Sequence, residues 1–312
     1  MKKLLKTTLL VFCVLLVINI VLDYVFTKRL CHSQYHYYKP WNCIIHDTIE
    51  ADLLVLGSSR ALRQYDPYIM DSMLCTNTYV LGQNAFHVNR QIVFYDVYRH
   101  CQKKKPSYLI INFDYYGNWE GSRADREQYY PCFVNPFMRR LIKNQEQFDV
   151  MELNVPMYRY YYQGILSLMR EKNDSVYWNQ KNWYKGYWGN PSKWDGKKMM
   201  EIEKIKFNPQ NSIVEKFDSF LTELQRDGID IVFVSSPIYV GATEKVENLS
   251  DFYDFRKRFS EKYDIPVLDY IYDSISYDTA YFYNATHLNK TGAELFTTQL
   301  CHDLDSLGVF QD

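Results

Sequence analysis

Apolar residues in this chain fall into short unbroken blocks that alternate with longer stretches where they recur every three or four positions. The first pattern suits buried strands and the second suits helices. The clearest block, Leu53-Leu54-Val55-Leu56, closes on Gly57-Ser58-Ser59-Arg60 and predicts a strand covered on both faces, with Gly57 permitting a sharp turn. Further strands are predicted at 78–81, ending in Gly82-Gln83-Asn84, and at 108–113, running into Asp114. Two more follow at 229–234, closed by Ser235-Ser236-Pro237, and at 266–268. Between them lie a helix that Asp66-Pro67 interrupts or restarts and a helix over 88–100 carrying Ile92, Val93, Tyr95 and Val97. Helices are also predicted over 212–226, over about 250–263 and, after Thr291-Gly292-Ala293, in an amphipathic terminal segment. Strands separated by helices imply crossover connections and a parallel α/β sheet. Ligands of such sheets sit at the carboxyl ends of the strands, where Ser59, Gly82 and Asp114 all fall.

The alternation breaks between about 115 and 208. This stretch holds Trp119, Trp178, Trp183, Trp188 and Trp194, together with Tyr158, Tyr160, Tyr161 and Tyr162. Helices are predicted near 136–144 and 157–171, whereas Asn, Gly and Lys dominate from 173 to 198. The segment reads as an aromatic-rich insertion. It would serve either as a lid or glycan-stacking wall over the sheet edge or as a small aromatic core packed on the main domain.

At the amino terminus Lys2, Lys3 and Lys6 precede an apolar run over 9–22 that continues through Phe26 and stops at Lys28 and Arg29. The run approaches the roughly 20 residues of a membrane span and no small-residue cleavage site follows it, so an uncleaved anchor with an exported body is expected. Asn19 and Asp23 lie near its outer end. Residues 31–50 show no periodicity and read as a juxtamembrane connection. The expected organisation is an anchor at 1–30, that connection, and one domain over 51–312 containing the insertion.

With 312 residues and 47% hydrophobic content the chain can bury a large core, and a formal net charge of −1 gives no reason to expect a nucleic acid partner. Aromatic residues make up 17%, including 29 Tyr, more than a core requires, and exposed rings suit sugars, peptides or a membrane interface. Outside the span, Cys31, Cys43, Cys75, Cys101, Cys132 and Cys301 form an even set in a compartment that permits disulfides, with Cys31 and Cys43 the most local pair. His32, His36 and His46 share that region without a standard zinc spacing, so neither metal nor any other cofactor is expected.

Ser58 or Ser59 suits a helix cap as well as a nucleophile. A serine nucleophile needs a base, and of the seven histidines His287 alone occupies a polar loop directly before a helix near the end of the chain. Gly57-Ser58-Ser59 and the distant His287-Leu288-Asn289, followed by Gly292-Ala293, together resemble the SGNH, or GDSL-like, hydrolase superfamily. That resemblance spans roughly 52–306 without the insertion. It implies a three-layer α/β/α fold with a flavodoxin-like parallel sheet, Ser59 as nucleophile and His287 as base. Asn284 stands where the superfamily usually has an aspartate, three residues before the histidine; Asp278 is the other acid at hand. The oxyanion elements map onto Gly82, or Ala85 in a shifted register, with Asn84 or Asn118 as side-chain donors. An α/β-hydrolase elbow, nearly spelled by Gly57-Ser58-Ser59-Arg60-Ala61, needs several strands before the nucleophile and too few residues precede it here. The resemblance extends to membrane-tethered esterases and acyltransferases of cell-envelope polymers and implies acyl transfer through a serine ester, with a glycan or acyl-donor substrate. The alternative is a catalytically weak scaffold subunit of an envelope glycan assembly.

Overall fold

The computed structural model describes residues 1–35, 37–115, 119, 126–145, 148–163, 183–197 and 204–309; His36, Asn118, Trp178 and the predicted helix beyond 163 lie outside them. The elements run α1 (Lys2–Leu30), α2 (Lys39–His46), β1 (Leu53–Gly57), α3 (Ser59–Gln64), α4 (Pro67–Leu74), β2 (Thr78–Gly82), α5 (Val88–Cys101) and β3 (Tyr108–Asn112). After a 3-10 helix, Arg126–Val134, come α6 (Pro136–Gln145), α7 (Val150–Asn154), α8 (Tyr158–Gln163), β4 (Trp183–Tyr184) and β5 (Tyr187–Trp188). The chain ends with α9 (Asn211–Arg226), β6 (Asp230–Ser235), α10 (Val240–Thr243), α11 (Leu249–Tyr263), β7 (Val267–Asp269), β8 (Phe282–Asn284), β9 (His287–Leu288) and α12 (Lys290–Ser306). Two units divide it, Met1–His46 with Arg123–Gln180 and Asp47–Ser122 with Lys181–Asp312.

The larger unit is built on a five-stranded parallel sheet in the order β2-β1-β3-β6-β7. Helices cover both faces because the strands are apolar on both sides. Leu53, Val55, Val80, Ile110 and Val234 share one core with Phe296, Leu300 and Leu304 of α12. Phe233, pointing the other way from its strand neighbours, meets Phe113 and Phe217, and Trp119 joins that cluster. Trp119 is therefore a core residue of the main domain. Burying each such side chain contributes about 1.5–3 kcal/mol. The chain leaves β1 toward β2 on one side and β3 lies on the other, so the order reverses at β1, and the crevice beyond its carboxyl end is the switch point of the sheet.

Two glycines let α3 close onto that point. A Cβ on Gly57 would stand 2.7 Å from the Ala61 Cβ, and one on Gly82 would stand 2.4 Å from the Leu62 backbone nitrogen. On the outer side of β2, the β4–β5 hairpin turns through Lys185 and Gly186, both with positive φ, as a two-residue hairpin turn requires. The Val80 N–H donates to Lys185 O at 2.9 Å, and this contact covers the edge strand, while Trp188 of the hairpin meets Arg63 near the end of α3.

The smaller unit differs from the sequence expectation. α1 is long and apolar enough to cross a membrane or act as a signal anchor, yet its end belongs to a packed structure, since Thr27 and Leu30 are buried. Asp23 accepts hydrogen bonds from the Met157 N–H at 2.8 Å and from Arg159 Nη2 at 2.7 Å, and the Thr27 and Tyr160 hydroxyls lie 2.6 Å apart. The polar residues of the last turns are thus packing partners of the 126–163 region. Residues 39–46, read as irregular, form α2, whose Trp41 and Ile44 are buried three positions apart and whose Trp41 ring lies 4.9 Å from that of Tyr129. The stretch 115–208 contributes to both units rather than to one insertion. The seven cysteines form no disulfide, so the expected Cys31–Cys43 pair is not made.

Candidate active site

The turn after β1 separates the two serines. Ser58 is the N-cap of α3, its Oγ accepting from the Arg60 N–H at 3.4 Å and donating to Asp114 Oδ2 at 3.3 Å. Ser59 is half-buried, and its Oγ lies 2.7 Å from Nε2 of His287, across 228 positions of sequence. The cap and the histidine-bonded hydroxyl are both present, on neighbouring residues.

His287 is delivered by a tight antiparallel hairpin in which it pairs with Asn284. Asn289 pins the hairpin from below: Nδ2 donates to Ala280 O at 2.7 Å and to Phe282 O at 3.1 Å, while Oδ1 caps α12 through the Gly292 N–H at 3.0 Å. Within the turn, the Thr286 backbone N–H approaches one terminal atom of the Asn284 amide at 3.0 Å. A backbone N–H can only donate, so that atom is the carbonyl oxygen. The same oxygen lies 2.9 Å from His287 Nδ1, which must then carry the proton. This assigns the Nδ1–H tautomer and leaves the Nε2 lone pair facing Ser59. The Thr286 hydroxyl, 3.0 Å from Nδ1 and 3.3 Å from the amide oxygen, closes the group.

The imidazole ring stacks on Tyr283, with centroids 5.4 Å apart and planes inclined by 23°. Burial, then the nearby cations of Arg63 and Arg60, hold its pKa well below the ordinary histidine value. The resting ring is therefore neutral and able to accept a proton.

Beneath Ser59 lies a buried polar cluster. Asp114 Oδ2 accepts from Arg60 Nε at 3.0 Å, from Arg60 Nη2 at 2.8 Å and from Asn112 Nδ2 at 3.2 Å. The Tyr65 hydroxyl donates to Asn112 Oδ1 at 2.7 Å, and burial raises its pKa. This cluster locks the end of β3 to the start of α3 and so fixes the turn that carries Ser58 and Ser59. Arg63, one helical turn after Ser59, places its guanidinium carbon 4.0 Å from the Trp188 ring centroid and 5.0 Å from that of Tyr283.

Ser59, His287 and Asn284 are brought together at the sheet edge. Gly82 ends β2 at the same edge, in register with Gly57, where its lack of a side chain admits α3. Asn84 follows β2, and its backbone N–H donates to Gln83 Oε1 at 2.9 Å. Asp278 is exposed and caps a short 3-10 turn through the Ala280 N–H, away from the imidazole. Asn118 lies outside the described residues. Sequence reasoning passed over Thr286, Tyr283, Arg60 and Arg63. The last two carried a signal, being basic residues within one turn of the candidate nucleophile on a helix otherwise packed into the core.

A groove of about 460 Å³ opens on the same unit, bordered by Tyr68, Tyr184 and Tyr187 with Asp66, Lys290 and Glu294. Tyr68 and Tyr184 present 71% and 42% of their surface to solvent. In comparisons with protein-family models and with curated proteins, nothing matches this chain.

Proposed function

We propose that this protein is an exported, membrane-anchored serine esterase or O-acyltransferase of SGNH-like type, acting on acyl esters of cell-envelope glycans. The observation that carries this reading is the 2.7 Å contact from Ser59 Oγ to His287 Nε2, with Nδ1 held by the Asn284 oxygen at 2.9 Å. Ser59 Oγ attacks the acyl carbonyl as its proton passes to Nε2, and the imidazolium then returns that proton to the departing alkoxide. Water or a glycan hydroxyl next gives its proton to Nε2 and attacks the acyl-Ser59 ester, releasing the acyl product and restoring the serine. Backbone N–H groups after β1 and β2 are the nearest candidates to hold the oxyanion. The position of Ser59 at the switch point of a parallel sheet supports the SGNH-like assignment, and the exposed Tyr68 and Tyr184 rings at a groove of the same unit are of the kind that sugars stack on. The apolar α1 supports the anchor.

Asn284 favours a second reading, a scaffold subunit with little activity, because a neutral amide does not stabilise an imidazolium by opposite charge. The full-length chain in detergent, treated with a fluorophosphonate probe, separates the two. Labelling of the wild type that disappears in Ser59→Ala and falls by about 10²–10⁴-fold in rate in His287→Ala is expected for the enzyme. Absent labelling, or labelling that persists in Ser59→Ala, removes it in favour of the scaffold.

A further inference from the structure

Among the described residues three buried arginines are paired with carboxylates, whereas Arg63, beside the candidate nucleophile, is not. Arg60 meets Asp114 at 2.8 Å, Arg159 meets Asp23 at 2.7 Å and Arg256 meets Asp269 at 2.6 Å. Arg63 is as buried as these, with 7% of its surface exposed, yet among the described residues no carboxylate pairs with it. Its Nε and Nη1 are buried without a hydrogen-bond partner. An uncompensated buried charge is costly, and contact with the Trp188 and Tyr283 rings offsets only part of that cost. Guanidinium groups on rings use their flat faces, and their in-plane N–H donors match the two oxygens of a carboxylate or phosphate. The chain thus maintains, one helical turn from Ser59 and against the ring that stacks on His287, a cation whose donors are unused.

We infer that Arg63 is the anchor for an oxyanion carried by the substrate, a carboxylate or phosphate on the acyl group or on the glycan, so that the esters served by Ser59 are anionic ones. This deepens the proposed function and rests on Ser59 being the nucleophile only for the identity of the ligand as a substrate; the anion site itself exists independently of catalysis. The Trp188 and Tyr283 rings are then positioning residues that hold the guanidinium in place. The neighbouring Arg60 differs because Asp114 already takes two of its nitrogens.

Two measurements on the full-length chain in detergent test the site. In the first, inorganic phosphate and succinate are titrated separately into the Ser59→Ala protein at constant ionic strength and followed by calorimetry. Saturable binding of at least one anion is expected, weakened about 10-fold or more by adding Arg63→Gln, as loss of a charge-assisted bidentate contact requires. Adding Arg63→Lys instead, which keeps the charge but not the fork, is expected to weaken it less, and this variant replaces the glutamine one if the latter does not melt cooperatively. Which of the two anions binds tells carboxylate from phosphate. In the second, hydrolysis of mono-p-nitrophenyl succinate and p-nitrophenyl acetate is compared as a ratio of kcat/KM, which cancels any general loss of activity. The anionic ester is expected to be preferred, and the preference to fall about 10-fold in Arg63→Gln. No saturable anion binding, or binding indifferent to Arg63, overturns the inference while leaving a fluorophosphonate-labelled Ser59 an esterase. Arg63-dependent binding in a protein whose Ser59 is not labelled keeps the anion site and removes the nucleophile.

Discussion

The Thr286 N–H lies 3.0 Å from the Asn284 side-chain oxygen, and this one contact decides which end of the amide faces His287. An asparagine in this place is most damaging when its NH2 group faces the ring and enforces the wrong tautomer. Here the turn holds the oxygen toward Nδ1, so the tautomer that leaves Nε2 basic is kept and only the charge of a carboxylate is missing. Asn284→Asp is therefore expected to raise kcat for ester hydrolysis and to move the acidic limb of kcat/KM to higher pH. Asn284→Leu, which removes the oxygen, is expected to lower kcat/KM on the order of 10²-fold. Both are read from pH–rate profiles with a p-nitrophenyl ester.

His287 titrates below the ordinary value of about 6.5 because it is buried and faces Arg63 and Arg60. The acidic limb of activity is expected below that pH, and Arg63→Gln, by removing one cation, is expected to move it upward. The consequence for stability has a definite sign. Below about pH 6.5 the unfolded chain takes up a proton that the folded state refuses, so stability is full above that pH and falls as pH drops toward the folded pKa. Melting temperatures between pH 7.5 and 5.5 should decline more steeply in the wild type than in His287→Gln.

Gly82 matters for how closely α3 approaches the sheet. A Cβ there would lie 2.4 Å from the Leu62 nitrogen and 2.9 Å from its Cα, both backbone atoms that move only with the helix. Gly82→Ala is expected to cost about 1–3 kcal/mol in urea unfolding, and to slow fluorophosphonate labelling because displacing α3 displaces Ser59.

The end of α1 is tied to the 126–163 region by Asp23 and Arg159, whose side chains keep 21% and 6% exposure. Asp23→Ala leaves the Arg159 charge without its carboxylate and is expected to cost about 3 kcal/mol. Faster proteolysis within 126–163 should report it, and Asp23→Ala with Arg159→Met should recover much of the loss. Equal cleavage in wild type and Asp23→Ala would show that the pair does not hold the two segments together.

Local pattern alone determined the parallel α/β architecture, since five short apolar blocks, four of them buried on both faces, separated by helical spacing, admit few other arrangements. The turn after β1 was legible for the same reason, because Gly57 and the serines occupy a place whose backbone needs are set by adjacent residues. The burial of α1 beyond Asp23 was not legible, because the partners of Asp23 and Thr27 stand more than 130 positions away. Nor was the choice between Ser58 and Ser59, which depends on where His287 and Asp114 arrive. The orientation of the Asn284 amide was decided by a hairpin that folds Thr286 back on it. That Arg63 meets two rings and, among the described residues, no carboxylate was decided by the β4–β5 hairpin and the Tyr283 turn, which stand more than 100 positions after α3 and about 100 apart from each other. Spacing along a chain reports which backbone conformations neighbours favour. Which charges are paired and which are left open depends on contacts between segments far apart, and only the folded chain brings those together.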